Sequence, residues 1–479
     1  MATLILSTVG TLVGGPIGGA IGAIIGQQID QRVFAPKGRN GPRLNELAVQ
    51  SSAYGSSIPK LFGSNRVAGT VIWATDLKET KRKVSNGKGR PKSTVYSYSA
   101  SFAVALSARR IVRVGRIWAD GKELDLAGIT YRTYLGAEDQ AADSLIVARQ
   151  GGASTPAYRG LAYVVFERLP LARFGNRFPQ LSFEVVRAVD PFEQQIRAVT
   201  IIPGAGEFVY EPTEVLRDIG LGVAASENFH TRQGGSDWTV SLDQLQETLP
   251  NTQRVSLFVS WFGTDLRCGS CLIKPGVEIA AKDTSPLVWR AGGVTRSGAL
   301  LVSQAFGAPA YGGTPSDDSV LEAIAELKAR GYKVGLYPFL LMDVPAGNAL
   351  PDPYGGAAQA AYPWRGRVTL NPAPGRPGTP DKTSAATAQI SAFFGTAAVA
   401  HLGASGGVPT YTGPAEWSYR RFVLHHAKLA ALAGGVDAFV IGSELRGVTN
   451  ARDSATNFPA VTALKTLAGD VRTMLGAGA

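Results

Sequence analysis

Cysteine and histidine are scarce in this 479-residue sequence, at two and four residues. Two cysteines exclude a disulfide-stapled scaffold. Their Cys268-Gly-Ser-Cys271 spacing supplies at most half of a four-ligand zinc site, and no histidine lies within 30 residues to complete it. The pair reads as two quiet thiols, as a local disulfide if oxidised, or as that half-site. No metal and no cofactor are expected. Charge is also sparse, at 18% of residues against 45% hydrophobic, and 57 glycines and 28 prolines accompany it. That composition excludes a disordered chain and describes a folded, loop-rich one with length for about two to four domains. A basic leader region is missing before the first apolar run, so the N-terminus does not read as a secretory signal peptide.

Positive charge is present but unevenly spread. Residues 1–190 hold 25 Lys/Arg against 13 Asp/Glu, and the remainder holds 23 against 24. A basic field of this kind attracts nucleic acid, anionic lipid or an acidic protein neighbour.

Residues 2–26 carry no charge, long enough for a helix to cross a bilayer. Gly10, Gly14, Gly18, Gly22 and Gly26 recur every fourth residue, which on a helix makes a groove for close backbone approach. So many glycines disfavour an isolated helix in water, so this one forms only when packed or in lipid. Pro16 kinks the run or marks a helix start. Residues 1–33 therefore read as an apolar glycine-zipper segment: either oligomerising and membrane-penetrating, or an axial plug inside a protein assembly.

Residues 36–190 read as a β-rich domain. Thr70–Trp73 is a strand, and Tyr96, Tyr98, Phe102, Val104 and Leu106 fall at even positions of a second, half-buried one. Asp120-Gly121 is a hairpin signal. The stretch between the first two strands reads as a loop carrying Lys78, Lys81, Arg82, Lys83, Lys88, Arg90 and Lys92, opposed by Glu79. It is a solvated charge run or a contact with a neighbouring subunit, anionic lipid or passing DNA. No aromatic interleaves it, so stacking on single-stranded bases is unsupported.

Residues 191–250 read as a connecting region, and 251–479 as the start of a (β/α) barrel. Val255–Trp261 is an apolar strand of the buried kind. Ser316 is placed to cap a helix with Asp317 and Asp318 in its first turn, Val320, Ile324 and Leu327 as its apolar stripe and Gly331 after its end. Val334–Met342 is the next strand, helices follow near 383–394 and 416–433, then a strand over 436–441 and a helix over 459–475. Alternation of this kind predicts a parallel sheet. Barrel chemistry sits at the C-terminal ends of strands, where Asp343 and Glu444 both fall. Glycoside hydrolysis needs two carboxylates, and Glu444, following an apolar strand, is the candidate proton donor. Trp261, Tyr337 and Trp364 are candidate sugar-stacking faces. The bland alternative is a non-catalytic barrel in which Glu444 serves as a helix-dipole partner or in a salt bridge with Arg446.

Several segments carry a family resemblance. The segment from Tyr158 to Val185, the Ser51–Gly63 run and the Val67–Trp73 strand resemble the N-terminal region of the large tail-tip proteins of gene transfer agents and related siphophages. Asp237-Trp238-Thr-Val-Ser-Leu, Trp261-Phe-Gly-Thr-Asp-Leu-Arg-Cys, Pro309-Ala-Tyr-Gly-Gly-Thr, Tyr337-Pro-Phe-Leu-Leu-Met-Asp, Trp364-Arg-Gly-Arg and Gly434–Gly447 resemble the glycosidase-like barrel of the same proteins. The resemblance implies a multidomain α+β virion protein at the tail tip. It implies a hub domain that rings the tail tube as a homotrimer beside distal tail and hub proteins, and a TIM-barrel-like domain acting on the host envelope, its peptidoglycan included, while DNA passes. In the wider glycosidase clan the acid/base Glu commonly follows Asn, whereas Ser443 precedes Glu444 here. A full barrel has eight strands and three or four are legible, so the barrel is expected to be incomplete and, within this chain, a poor enzyme. The alternative function is a cell-wall glycoside hydrolase or a carbohydrate-binding barrel.

Overall fold

The computed structural model describes residues 57–84, 93–152, 155–187, 191–202 and 206–476, together with Leu12. The zipper glycines Gly10 to Gly26 and the cations Lys88, Arg90 and Lys92 lie outside the described residues. Among the described residues no helix is long and apolar enough to cross a membrane. The chain divides into two compact units, Met1–Val189 and Asp190–Ala479.

Among the described residues, the first unit is built of two sheets. One joins β1 (Gly63–Val67), β5 (Arg113–Ala119), β6 (Lys122–Glu123) and β9 (Leu181–Arg187) in the order β1-β9-β5-β6. The other runs β2 (Thr70–Ala74), β4 (Ser93–Ser107), β8 (Ala162–Pro170) and β7 (Thr130–Leu135), with β3 (Lys78–Val84) also on β4. Phe102, Val104, Leu106, Phe166, Phe183 and Val185 fill the core of this unit. The expected half-buried alternation fails in the second half of β4, where residues 100–107 are all buried. The reason is helix α1 (Ser144–Gln150), whose Ile146 packs with Ala103, Tyr163 and Val165 on the opposite face. Asp143 caps α1, accepting from the amides of Leu145 at 2.9 Å and Ile146 at 3.1 Å. Asp120 and Gly121 turn β5 into β6 at φ 52° and 81°, as a primed hairpin turn requires.

One expectation is corrected here. Lys78, Arg82, Lys81 and Lys83 are not on a loop. They form β3, paired antiparallel with β4 from Lys78↔Ser99 to Val84↔Ser93. The charged side chains sit at exposed strand positions while their partners anchor the ribbon. Tyr98 donates to Glu79 at 2.9 Å, and the Lys81 ammonium lies 5.9 Å from the centre of the Tyr96 ring. Charge density masked the strand because an edge ribbon needs no apolar face of its own.

The second unit carries four parallel strands in chain order: β10 (Ala198–Ile201), β11 (Arg254–Gly263), β12 (Lys333–Met342) and β13 (Ala438–Phe439). Helices α2 (Asp237–Thr248) and α3 (Asp317–Ala329) separate the first three strands. Helices α4 (Ser384–Phe394) and α5 (Tyr419–Leu432) lie between β12 and β13, and α6 (Pro459–Leu475) follows. Parallel neighbours joined through helices are the construction of a (β/α) barrel wall. Strand β10 and helix α2 both come from the stretch read as a connection. Parity assigns the faces. Val334 and Leu336 of β12 and Val255, Leu257 and Val259 of β11 pack with Val320, Ile324 and Leu327 of α3, each buried apolar side chain contributing roughly 1.5–3 kcal/mol. The alternate residues Tyr337, Phe339 and Leu341 lie half-buried on the inner face. Gly335 faces Ser256 in register, and a Cβ there would stand 2.6 Å from its Oγ. Ser316 occupies the cap position of α3, but no side-chain cap bond forms; its hydroxyl donates to the Arg290 carbonyl at 3.4 Å. Asp317 instead contacts buried His425 at 2.9 Å, and Asp318 pairs with Arg290.

Candidate functional site

Both sequence-predicted carboxylates follow strands of the parallel sheet, and their surroundings differ. Asp343 directly follows β12 and donates its amide to the Gly263 carbonyl at the end of β11, at 2.8 Å. Its carboxylate is buried, accepting from the Ser303 amide at 2.9 Å and the Ser303 hydroxyl at 2.5 Å. Each oxygen is thus taken by the same residue. Beside it, Tyr311 donates to the Met342 carbonyl at 3.2 Å, and burial followed by the Asp343 charge pushes its phenol up to about 12. This end of the site is a fastening between a loop and two strand ends. A cleft of about 380 Å³ adjoins it, lined by Ser260 and Leu341 of the strands with Tyr311 and Glu278.

Glu444 is presented differently. Its φ is +54°, uncommon for a residue with a side chain, and the carboxylate is 51% exposed. The Trp364 indole donates to it at 2.5 Å and the Arg365 guanidinium at 3.0 Å. Its ionic partner is therefore Arg365 and not Arg446, and its setting is a wet, hydrogen-bonded one rather than the apolar pocket expected after a strand. Arg365 is buried, lies 3.9 Å over the Phe339 ring, and donates to the Ser443 hydroxyl at 3.1 Å and carbonyl at 3.3 Å. Tyr337 also donates to the Ser443 hydroxyl. Inner-face aromatics of β12 thus hold Arg365 and Ser443, and these aim Glu444 outward beside Trp364, itself 50% exposed.

Of the three expected stacking faces, Trp364 is exposed and Tyr337 lies half-buried on the inner face. Trp261 is corrected: it is fully buried between Trp417, Phe422, His425 and His426. It shares parity with Val255, Leu257 and Val259, which turns it to the helices. Arg365 and Ser303 were missed. Within Trp364-Arg-Gly-Arg nothing local marks Arg365 as the cation that reaches a residue 79 positions later. Cys268 and Cys271 are free, buried thiols, and burial pushes both up to about 12. Among the described residues no group of His, Cys, Asp and Glu is arranged to hold a metal ion.

Solved structures similar to parts of the chain include the following two. One, from the "Virion of native gene transfer agent (GTA) particle", is 40% identical over 41% of this chain and 44% of that one, with a TM-score of 0.25. The other, "Complex structure of GH113 beta-1,4-mannanase", is 16% identical over 49% of this chain and 45% of that one, with a TM-score of 0.23. The chain thus spans less than half the length of either. No curated protein matches. Residues 417–479, which run from before α5 through β13, Glu444 and α6, match the family model described as the GTA TIM-barrel-like domain.

Proposed function

We propose that this chain is a structural protein of a phage-like particle of the gene transfer agent type, placed at the tail tip. There it closes the tail tube as a homotrimer with distal tail and hub proteins, and mediates envelope penetration and DNA delivery. The observation that carries the reading is the match of residues 417–479 to the GTA TIM-barrel-like domain, within the unit that builds a parallel barrel wall. Imaging purified particles at side-chain detail tests it. The chain is expected at the distal end of the tail, ringed in threes; finding it only in the head, or as a lone copy, discards the proposal.

A second reading is favoured by the exposed Trp364 beside the outward carboxylate of Glu444. Aromatic faces next to an acid are the means of holding a sugar ring. On this reading the barrel unit engages peptidoglycan, with Glu444 as the candidate acid and Asp343 shaping the rim through Ser303. Sedimentation with insoluble peptidoglycan is expected to weaken in Trp364→Ala. Cell-wall clearing by the complete protein should be lost in Glu444→Gln, and equal clearing by both removes Glu444 as the acid.

A further inference from the structure

We propose that the first unit carries a binding cleft for the phosphodiester backbone of duplex DNA, between β3, β4, the end of α1 and a bulge in β8. The cleft measures about 610 Å³, and its rim includes Lys78, Arg149 and Arg168 against the single carboxylate of Asp76. Among the described residues no ion pair engages any of these three cations. Arg168 is aimed there by a built feature. Pairing between β4 and β8 shifts register between Ala100 and Phe102, and Arg168 sits opposite the shift at φ 51°, its amide donating to the Ser101 hydroxyl at 3.0 Å. A bulge re-aims a side chain at a backbone cost, and that cost is typical of functional positions.

The surrounding chemistry selects phosphate. Ser99 and Ser101 line the cleft floor, and Lys78 pairs across to Ser99 in register. On the same face of the ribbon Thr80 and Arg82 continue from Lys78, opposite Ser97 and Val95. Cations interleaved with hydroxyls over about 20 Å of strand suit a run of phosphate oxygens. The tyrosines of β4, Tyr96 and Tyr98, belong to the opposite face, and Trp73, half-buried against the Ile146 cluster, is the single aromatic side chain that lines the cleft, so this face has no row of rings on which successive single-stranded bases could stack. The cleft is built from residues of the first unit alone, whereas Asp343 and Glu444 belong to the second, so the proposal stands or falls separately from the glycan reading.

Binding of the full chain to a short mixed-sequence DNA duplex, titrated over a range of salt, tests the proposal. Each phosphate contact contributes about 0.9 to the slope of log affinity against log salt. The triple variant Lys78→Gln, Arg149→Gln, Arg168→Asn is expected to lower that slope by about 2–3 and the affinity at low salt by about tenfold or more. Asn at 168 tolerates the left-handed backbone. Arg149→Gln alone, on an exposed helix end, should lower the slope by about one. A control lacking the exposed cations Lys60, Lys122 and Arg173 removes the same charge elsewhere. Equal losses in the triple variant and the control overturn the cleft. A triple variant that keeps duplex affinity but loses binding to vesicles of equal phosphatidylglycerol and phosphatidylcholine overturns it in favour of a membrane surface.

Discussion

At the scale of single residues, the charge next to Glu444 decides how that position behaves. Arg365 touches Phe339, Ser443 and Glu444 at once, and it is buried where Glu444 is half in water. An ion pair with one exposed partner adds at most about 1 kcal/mol. Cation–π contact and the hydrogen bonds to Ser443 add a similar amount again. Arg365→Ala is therefore expected to destabilise the second unit by roughly 1–3 kcal/mol, read as a lowered melting temperature. Glu444→Gln keeps an acceptor for Trp364 and Arg365 and should stay within about 1 kcal/mol of the parent. If the two variants melt alike, Arg365 is not what holds this corner.

At the scale of elements, the sequence was most readable where a periodic face meets a cap. Helix α5 was expected over 416–433 and runs Tyr419–Leu432, because Ser418 accepts from the Arg421 amide at 3.2 Å while Glu416 turns back to the amides of Thr396 and Ala397. Ser418→Ala is expected to cost about 1 kcal/mol. Leu327→Ala, which empties a fully buried place against β11 and β12, should cost about 2–5 kcal/mol. Urea melts at constant slope measure both, and a reversed ranking would mean the sheet does not lean on α3. Among the strands the sequence pattern does not show, two are hidden for opposite reasons. β3 was hidden by its charge, and β10 by being four residues long, too short to show a period. The site was half legible. Strand ends pointed to Asp343 and Glu444, but Trp261 and Tyr337 differ only in parity, and which parity faces inward depends on where the helices pack.

At the scale of the whole second unit, stability should pass through a maximum with pH. His426 is fully buried, and burial, then its neighbour His425, hold it at about 3 against an ordinary 6.5. The folded unit binds this proton more weakly than the unfolded chain, so stability is complete above about 6.5 and falls with acid toward 3. Glu322, at an exposed position of α3, is pushed the other way, from 4.5 to about 7, by partial desolvation and by the neighbouring carboxylate of Glu211. Here the folded unit holds the proton more tightly, so that contribution is present below about 4.5 and is lost as pH rises through 7. Glu322→Gln should then raise the melting temperature at pH 8 and leave it nearly unchanged at pH 4.5. An equal gain at both would remove the Glu211 contact as the cause.

The two cysteines sit in the same packed layer as Trp261, Phe393 and Phe422. Their thiols hold their protons and are shielded from solvent, so alkylating reagents reach them only when that layer opens. They form a built-in clock. With no other cysteine in the sequence, the rate at which a maleimide labels this protein, at concentrations where labelling outpaces reclosing, reports how often the packed layer opens, without any added probe.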